Sequence, residues 1–423
     1  MNRRAFLRAG VLGTVGFGAS SLPCFSAAKA KKPTVAEAFD AEMEAFMTAR
    51  KIPGGALAVV KNRRLVYVKG YGWADRGRKI SVKPDSLFRI ASISKPITAV
   101  AVLKLVEAGK LRLDARAFDI VGASPILEEG RAPDVRLGRI TIRQLLQHTG
   151  GWDRAQSYDP MFRARQIAEK TNTPPPATPA AVIRYMLGQP LDFDPGQRFA
   201  YSNLGYCVLG RVIEQIAGQP YEQFVRANVL GPLGIAHARI GASLDGRQPL
   251  AEVRYYMADG SQGNSVFPKG PAKVPWPYGG FHLEAMDAHG GWIASVVDLA
   301  RFAATLDNPR RNPLLKPATS REMYAPPPPP VSRDKSGTLK DAWYGCGWSV
   351  RPTRKNRANY WHNGSLPGSA TLLVRRDDGL SWVALFNQRS EDGNLPDSAI
   401  DPALHRAADS VAEWPTRDLF GTV

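Results

Sequence analysis

The chain has 423 residues, with 56 Lys and Arg against 38 Asp and Glu, a formal charge of +18 and 44% hydrophobic residues. That composition is globular and excludes a disordered tail protein, while 3 cysteines, with no Cys-x-x-Cys or Cys/His cluster, exclude a disulfide scaffold and a structural zinc site. Basic residues are scattered, and Arg375-Arg376 is followed at once by Asp377-Asp378, so the charge predicts a generally cationic surface and no nucleic-acid partner.

Residues 1–30 read as an export address. Arg3-Arg4-Ala5-Phe6-Leu7 resembles the twin-arginine type of signal, a weakly apolar glycine-rich stretch follows, and Ala28-Lys29-Ala30 offers a small-residue exit. An uncleaved amphipathic anchor is the alternative, disfavoured by the glycines and by a length short for a span. Removal takes away Arg3, Arg4, Arg8 and Lys29 and no acid, leaving +14 on residues 31–423. No later segment approaches a membrane span, so the expectation is an exported, periplasmic or extracytoplasmic protein with no integral span once the signal is gone.

Apolar spacing over 33–50 predicts an amphipathic helix, and β-rich runs at 55–60 and 65–71 around Lys61-Asn62-Arg63-Arg64 predict a hairpin. Residues 92–109 are helical in pattern and apolar on most sides, which places them in the core. The stretch 116–289 alternates helical segments with Pro/Gly-rich loops and shows no convincing strand. Residues 325–330 form a polyproline run, expected to be an exposed loop. Strand signals return at 347–351 and 358–362, then as a hairpin of 370–376 and 380–387 around Asp377-Asp378-Gly379, before a closing helix over 402–414. Strands at both ends of the chain predict an α/β (α+β) fold: one antiparallel sheet built from 33–115 and 290–423, flanked by helices, with a helical insert at 116–289, all within a single catalytic domain spanning 31–423.

Three motifs carry candidate chemistry. Ser92-Ile93-Ser94-Lys95 opens the buried helix, where residues three apart project side by side. A lysine in a dry site is pushed toward its neutral form and can take the proton of a serine hydroxyl. A plain N-cap with a solvated lysine fits the motif alone equally well, and the same spacing recurs at Ser26/Lys29 and Ser332/Lys335. Tyr201-Ser202-Asn203 leads into a helix, so a phenol and an amide can face a cleft; packing and capping are the alternative. Trp361-His362-Asn363-Gly364-Ser365 ends a β run, read as an edge strand where a substrate backbone pairs.

Ser-x-x-Lys, Tyr-x-Asn and a Lys/His-x-Gly strand, in that order, resemble the serine β-lactamase and DD-peptidase superfamily, in its class C-like branch with D-alanyl-D-alanine carboxypeptidases and related esterases. Leu145-Leu146-Gln147-His148-Thr149-Gly150-Gly151 and Gly290-Gly291-Trp292 resemble further recurrent stretches of that family. The resemblance implies a β-lactamase/transpeptidase-like fold and an acyl-enzyme on Ser92, with Lys95 and Tyr201 shuttling its proton and Asn203 binding a polar substrate group. It also implies an oxyanion between the N–H groups of Ser92 and Ser365, with His362 in place of the third-motif cation, bonded to Tyr201 or to a substrate carboxylate. His362-Asn363-Gly364 stands where most class C enzymes resemble Lys-Thr-Gly, which weakens carboxylate recognition and favours a carboxypeptidase-like or esterase-like hydrolase; a class C-type β-lactamase and a slowly turning-over penicillin-binding sensor are the alternatives.

The implied substrate is a small molecule or peptide, cell-wall derived in the family's usual setting, and no cofactor or metal is implied. His148 and His289 are expected to be structural, His237, His282 and His405 show no metal spacing, and Cys207 and Cys346 are expected as two buried thiols.

Overall fold

The computed structural model describes residues 32–354 and 357–423, so the export address expected over 1–30 lies outside the described residues. Pro33–Val423 form one compact unit. It opens with α1 (Val35–Arg50), started by a reciprocal cap in which Thr34 Oγ1 accepts from the Glu37 N–H while Glu37 reaches back to the Thr34 N–H at 2.8 Å. Lys51, in the left-handed region at φ 53°, ends the helix.

Among the described residues the main sheet has eight strands: β1 (Gly54–Lys61), β2 (Arg64–Asp75), β3 (Ile80–Ser81), β4 (Trp343–Tyr344), β5 (Ser349–Arg354), β6 (Arg357–Leu366), β7 (Ser369–Arg375) and β8 (Leu380–Phe386). Their order is β4-β5-β6-β7-β8-β1-β2-β3, antiparallel throughout, and the junction of the two chain ends is the β1–β8 pair, Gly55 opposite Phe386 through Lys61 opposite Leu380. Lys61 faces Arg64 across a two-residue turn in which Asn62 and Arg63 both take positive φ, the turn geometry whose twist suits a tight hairpin.

Alternation along these strands feeds two cores. Leu57, Val59, Trp382 and Ala384 pack with α1 and α5 (Ile400–Ser410), whereas Ala56, Ala58, Val383 and Leu385 face the large core on the other side. That core includes α2 (Ser94–Glu107), α3 (Asn203–Ala217) and α4 (Val296–Leu306). Ile97, Val100, Val102 and Leu103 of α2 are at most 1% exposed, each worth about 1.5–3 kcal/mol of apolar burial. The helix is therefore anchored on nearly every side, which fixes whatever its N-terminal turn carries.

Two expectations need correction. The segment 116–289 contains short strands, among them Arg239–Ile240, which pairs with Trp292–Ala294, itself paired with Phe88–Arg89. Runs of two or three residues are too short for alternation to register in sequence. The strand bearing His362 is also not an outer strand along its whole length, since β5 and β4 lie beyond β6; it is an open edge only from His362 onward, where β5 no longer pairs with it. Among the described residues no helix is long and apolar enough to cross a membrane.

Candidate active site

The chain leaves Phe88–Arg89, reverses at Ala91 and enters α2 through a 3-10 turn, Ala91–Ile93, that carries Ser92. Ala91 has φ 47°, a conformation a Cβ-bearing residue adopts only at a cost of about 1–3 kcal/mol unless its surroundings impose it. They do so here. Ser369 Oγ donates to the Arg89 carbonyl at 2.8 Å, Thr371 Oγ1 to the Ile90 carbonyl at 3.0 Å, and the Ile90 N–H bonds the Trp292 carbonyl at 3.0 Å. Sheet strand β7 thus clamps the turn that presents Ser92.

Lys95, one helical turn on, is fully buried. Its Nζ lies 3.1 Å from Ser92 Oγ, 2.8 Å from Asn203 Oδ1 and 2.9 Å from the His289 carbonyl. Burial is the main cause that holds this amine well below the ordinary lysine range; Asp159 opposes it and Arg154 reinforces it. A neutral amine has two N–H bonds and one lone pair. Two of its neighbours, an amide oxygen and a peptide carbonyl, can only accept, so they take both N–H groups and the lone pair is left for the Ser92 hydroxyl to donate into.

Asn203 presents its oxygen to Lys95 because its other end is held: Nδ2 donates to Asp159 Oδ2 at 2.6 Å, while Asp159 Oδ1 accepts the Met161 N–H at 3.1 Å. Asn203 is the first residue of α3, capped by Ser202 Oγ, which accepts from the Gly205 N–H. The Ser202 N–H in turn donates to His148 Nδ1 at 3.2 Å, which places the N–H of that imidazole on Nε2, buried and without a partner among the described residues.

Tyr201 packs on the His148 ring, centroids 4.3 Å apart, with Lys95 Nζ 4.7 Å from its own centroid. Burial drives its phenol upward, and the side-chain hydrogen bond with Ser92 and the charge of Arg154 only partly offset this, so the resting phenol carries its proton. Serine, an amine pushed toward its neutral form and a protonated phenol therefore meet at one point. That arrangement can deprotonate a nucleophile and protonate a departing group.

The family profile described as Beta-lactamase matches residues 39–405. This chain belongs to the Beta-lactamase family. It is 23% identical over 354 residues to penicillin-binding protein 4* of Bacillus subtilis, covering 83% of this chain and 71% of the relative. In fold it is similar to D-amino acid amidase of Ochrobactrum anthropi SV3, solved with L-phenylalanine amide (TM-score 0.65, 20% identity, covering 89% of this chain and 98% of the amidase). It is also similar in fold to EstCE1, a hydrolase with promiscuous acyltransferase activity (TM-score 0.63, 21% identity, covering 89% and 98%). The chain is thus a member of the serine β-lactamase/DD-peptidase superfamily, with the mixed α/β architecture of its relatives.

Within this Beta-lactamase-family site, the third motif departs from the sequence expectation. His362 does not bond Tyr201. Its Nδ1 faces the Asn363 carbonyl at 2.6 Å and so must donate, leaving Nε2 to accept from the Tyr344 hydroxyl at 2.9 Å. Burial, with the nearby Lys95 adding to it, lowers this imidazole to about 3, so it is neutral and both ring nitrogens are spent. Gly364 lies against the nucleophile turn: a Cβ there would meet the Ile90 carbonyl oxygen at 2.6 Å and the Ala91 Cβ at 2.9 Å. Asn363 and Ser365, opposite Leu372 and Ala370, turn their side chains to the α1/α5 face of the sheet, away from Ser92. What those two residues offer the site is backbone. Because β5 covers β6 only as far as Trp361, the stretch from His362 to Leu366 has no strand partner on that side among the described residues, an open edge to which an extended substrate can add.

Sequence reasoning missed Asp159, Tyr344 and Arg154, and assigned His148 and His289 a purely structural place although both border Lys95 or Tyr201. Cys207 and Cys346 are free and buried, their thiols pushed up to about 12 by burial. An aromatic cleft of about 270 Å³, lined by Phe199, Val331, Trp343, Tyr344 and Trp361, shares its Tyr344 wall with the site.

Proposed function

We propose that the protein is a serine hydrolase that opens an amide or ester through an acyl-enzyme on Ser92, carboxypeptidase-like or esterase-like in its substrate. The observation that carries this reading is the placement of the buried Lys95 Nζ 3.1 Å from Ser92 Oγ, with the Asn203 amide oxygen at 2.8 Å and the His289 carbonyl at 2.9 Å as its other partners. In the first step Oγ bonds the substrate carbonyl carbon and its proton passes to Lys95; the carbonyl electrons collect on oxygen beside the N–H groups of Ser92 and Ser365. The carbon–leaving-group bond then breaks as Tyr201, recharged from Lys95, supplies a proton, and water reverses the sequence to free the acid. Asn203 keeps the amine oriented, and the aromatic cleft suits an apolar substituent next to the reacting carbonyl.

Intact-mass measurement after exposure to a fluorophosphonate, a penicillin and a short-chain ester tests this. An adduct on the wild type and none on Ser92→Ala is expected; an unmodified wild type would sink the serine reading. A second reading, slow release of a penicilloyl adduct as in a penicillin-binding sensor, is favoured by one feature: the carboxylate in the site, Asp159, is already committed to Asn203 and Met161. Persistence of the penicilloyl mass over hours would select it. The twin-arginine-type start supports export to the periplasm, which N-terminal sequencing of the mature protein checks.

A further inference from the structure

Arg154 stands at the mouth of the site with its charge uncommitted. Its guanidinium carbon is 5.0 Å from the centre of the Tyr201 ring, and its side chain is exposed. Among the described residues no carboxylate pairs with it. Asp153, its neighbour, is spent on Arg198 at 2.6 Å and on the Ala155 N–H; Asp192 accepts the Asp153 N–H at 2.6 Å and the Ser157 hydroxyl at 3.0 Å; Asp159 is half-buried and holds Asn203. The charge of Arg154 is nevertheless felt at Lys95, Tyr201, His148 and Asp159.

His362, in the third motif, has both ring nitrogens bonded within the protein and carries no charge to offer. An exposed guanidinium beside the catalytic phenol, with no acid of its own, is a ready partner for a planar anion in two parallel hydrogen bonds. We propose that Arg154 is a specificity-determining residue that anchors a carboxylate substituent of the substrate beside Tyr201. This rests on Ser92 being the nucleophile, and it adds a substrate class to that reading: amides or esters bearing an acidic group, which a neutral third motif would otherwise leave unrecognised.

Two matched ester pairs test it, one placing the acid on the acyl chain and one on the leaving group: mono-4-nitrophenyl adipate against 4-nitrophenyl hexanoate, and the hexanoyl ester of 4-hydroxybenzoate against that of 4-hydroxybenzamide. For at least one pair, the ratio of kcat/KM for the acidic over the neutral member should fall by about 10- to 100-fold in Arg154→Met, the size of one charge-assisted contact. Arg154→Lys should recover part of that ratio, and added salt should compress it in the wild type because the anchor is solvent-facing. A simply structural role would lower both members of a pair together and leave the ratio where it was. Wild-type turnover with ratios unchanged by Arg154→Met in both pairs overturns the anchor alone. A wild type that neither turns over any ester nor takes a fluorophosphonate on Ser92 overturns the nucleophile and the anchor with it.

Discussion

Asp159 touches neither Ser92 nor Lys95, yet it decides which end of the Asn203 amide Lys95 meets. Both its oxygens accept, one from Asn203 Nδ2 at 2.6 Å and one from the Met161 N–H at 3.1 Å. In Asp159→Asn only one oxygen remains, and an N–H group must oppose one of these donors. If it opposes Asn203, the amide turns over and aims its own N–H at the Lys95 lone pair, removing the base. The expected result is a kcat lowered by about 10- to 100-fold, within the range of a general-base contribution, with folding little changed. Asp159 also raises the Lys95 amine toward protonation, so its loss should move the acid limb of the pH–rate profile to lower pH. A merely structural role would lower activity without moving that limb, and an unmoved limb with full activity would remove Asp159 from the positioning set.

At the level of elements, the nucleophile turn and the β6–β7 hairpin form one device. Thr371 and Ser369 on β7 hold the two carbonyls that lead into the reversal, those of Ile90 and Arg89, and Gly364 on β6 leaves room for it. Gly364→Ala puts a Cβ 2.3 Å from Thr371 Oγ1 and 2.6 Å from the Ile90 carbonyl oxygen. Backbone cannot retreat as a flexible side chain can, so about 1–3 kcal/mol of destabilisation is expected, together with a loss of Ser92 acylation larger than the loss of folded protein. A variant with wild-type melting temperature and acylation would show that the approach is looser than these distances. These elements also show what a sequence can reveal. The hairpins at 54–75 and 369–386 were legible because β-rich runs of six or more residues flank short turn segments, and α2 because it is apolar nearly all round. Ser92, Lys95, Tyr201 and Asn203 were legible because each sits at a fixed offset from a helix start. Asp159 and Arg154 were not: they lie on irregular backbone, and Asp159 meets Asn203 across 44 positions by tertiary folding alone. The side-chain directions of Asn363 and Ser365 were equally hidden, since strand parity is set by register with β7.

Across the whole molecule, the place where the sheet meets the helical segments concentrates basic groups held without charge. His148 and His289 are lowered well below the ordinary histidine value and His362 to about 3, in each case chiefly by burial and further by Lys95. In the unfolded chain each imidazole takes up a proton below its ordinary value of 6.5, whereas the folded chain excludes it. Stability present above that pH is therefore lost as pH falls through it, by about 1.4 kcal/mol per pH unit for each fully titrating imidazole. The amine of Lys95 acts in the same direction from higher pH, because it too is lowered in the fold. Buried acids such as Asp287 and Asp307 are shifted upward by burial and take up protons in the folded state first, so they oppose the trend near the carboxylate range. The effect is cleanest between about pH 7.5 and 5.5, where the ordinary carboxylates of the unfolded chain stay ionised. Urea unfolding across that interval should show a steep fall in stability, and proton uptake on unfolding at pH 5.5 should approach four, three from these imidazoles and one from Lys95. His362→Gln should reduce that uptake by about one. A free energy of unfolding that is flat over this range would mean that the imidazoles titrate freely in the fold, and that the site which shelters them from water also fails to keep Lys95 neutral.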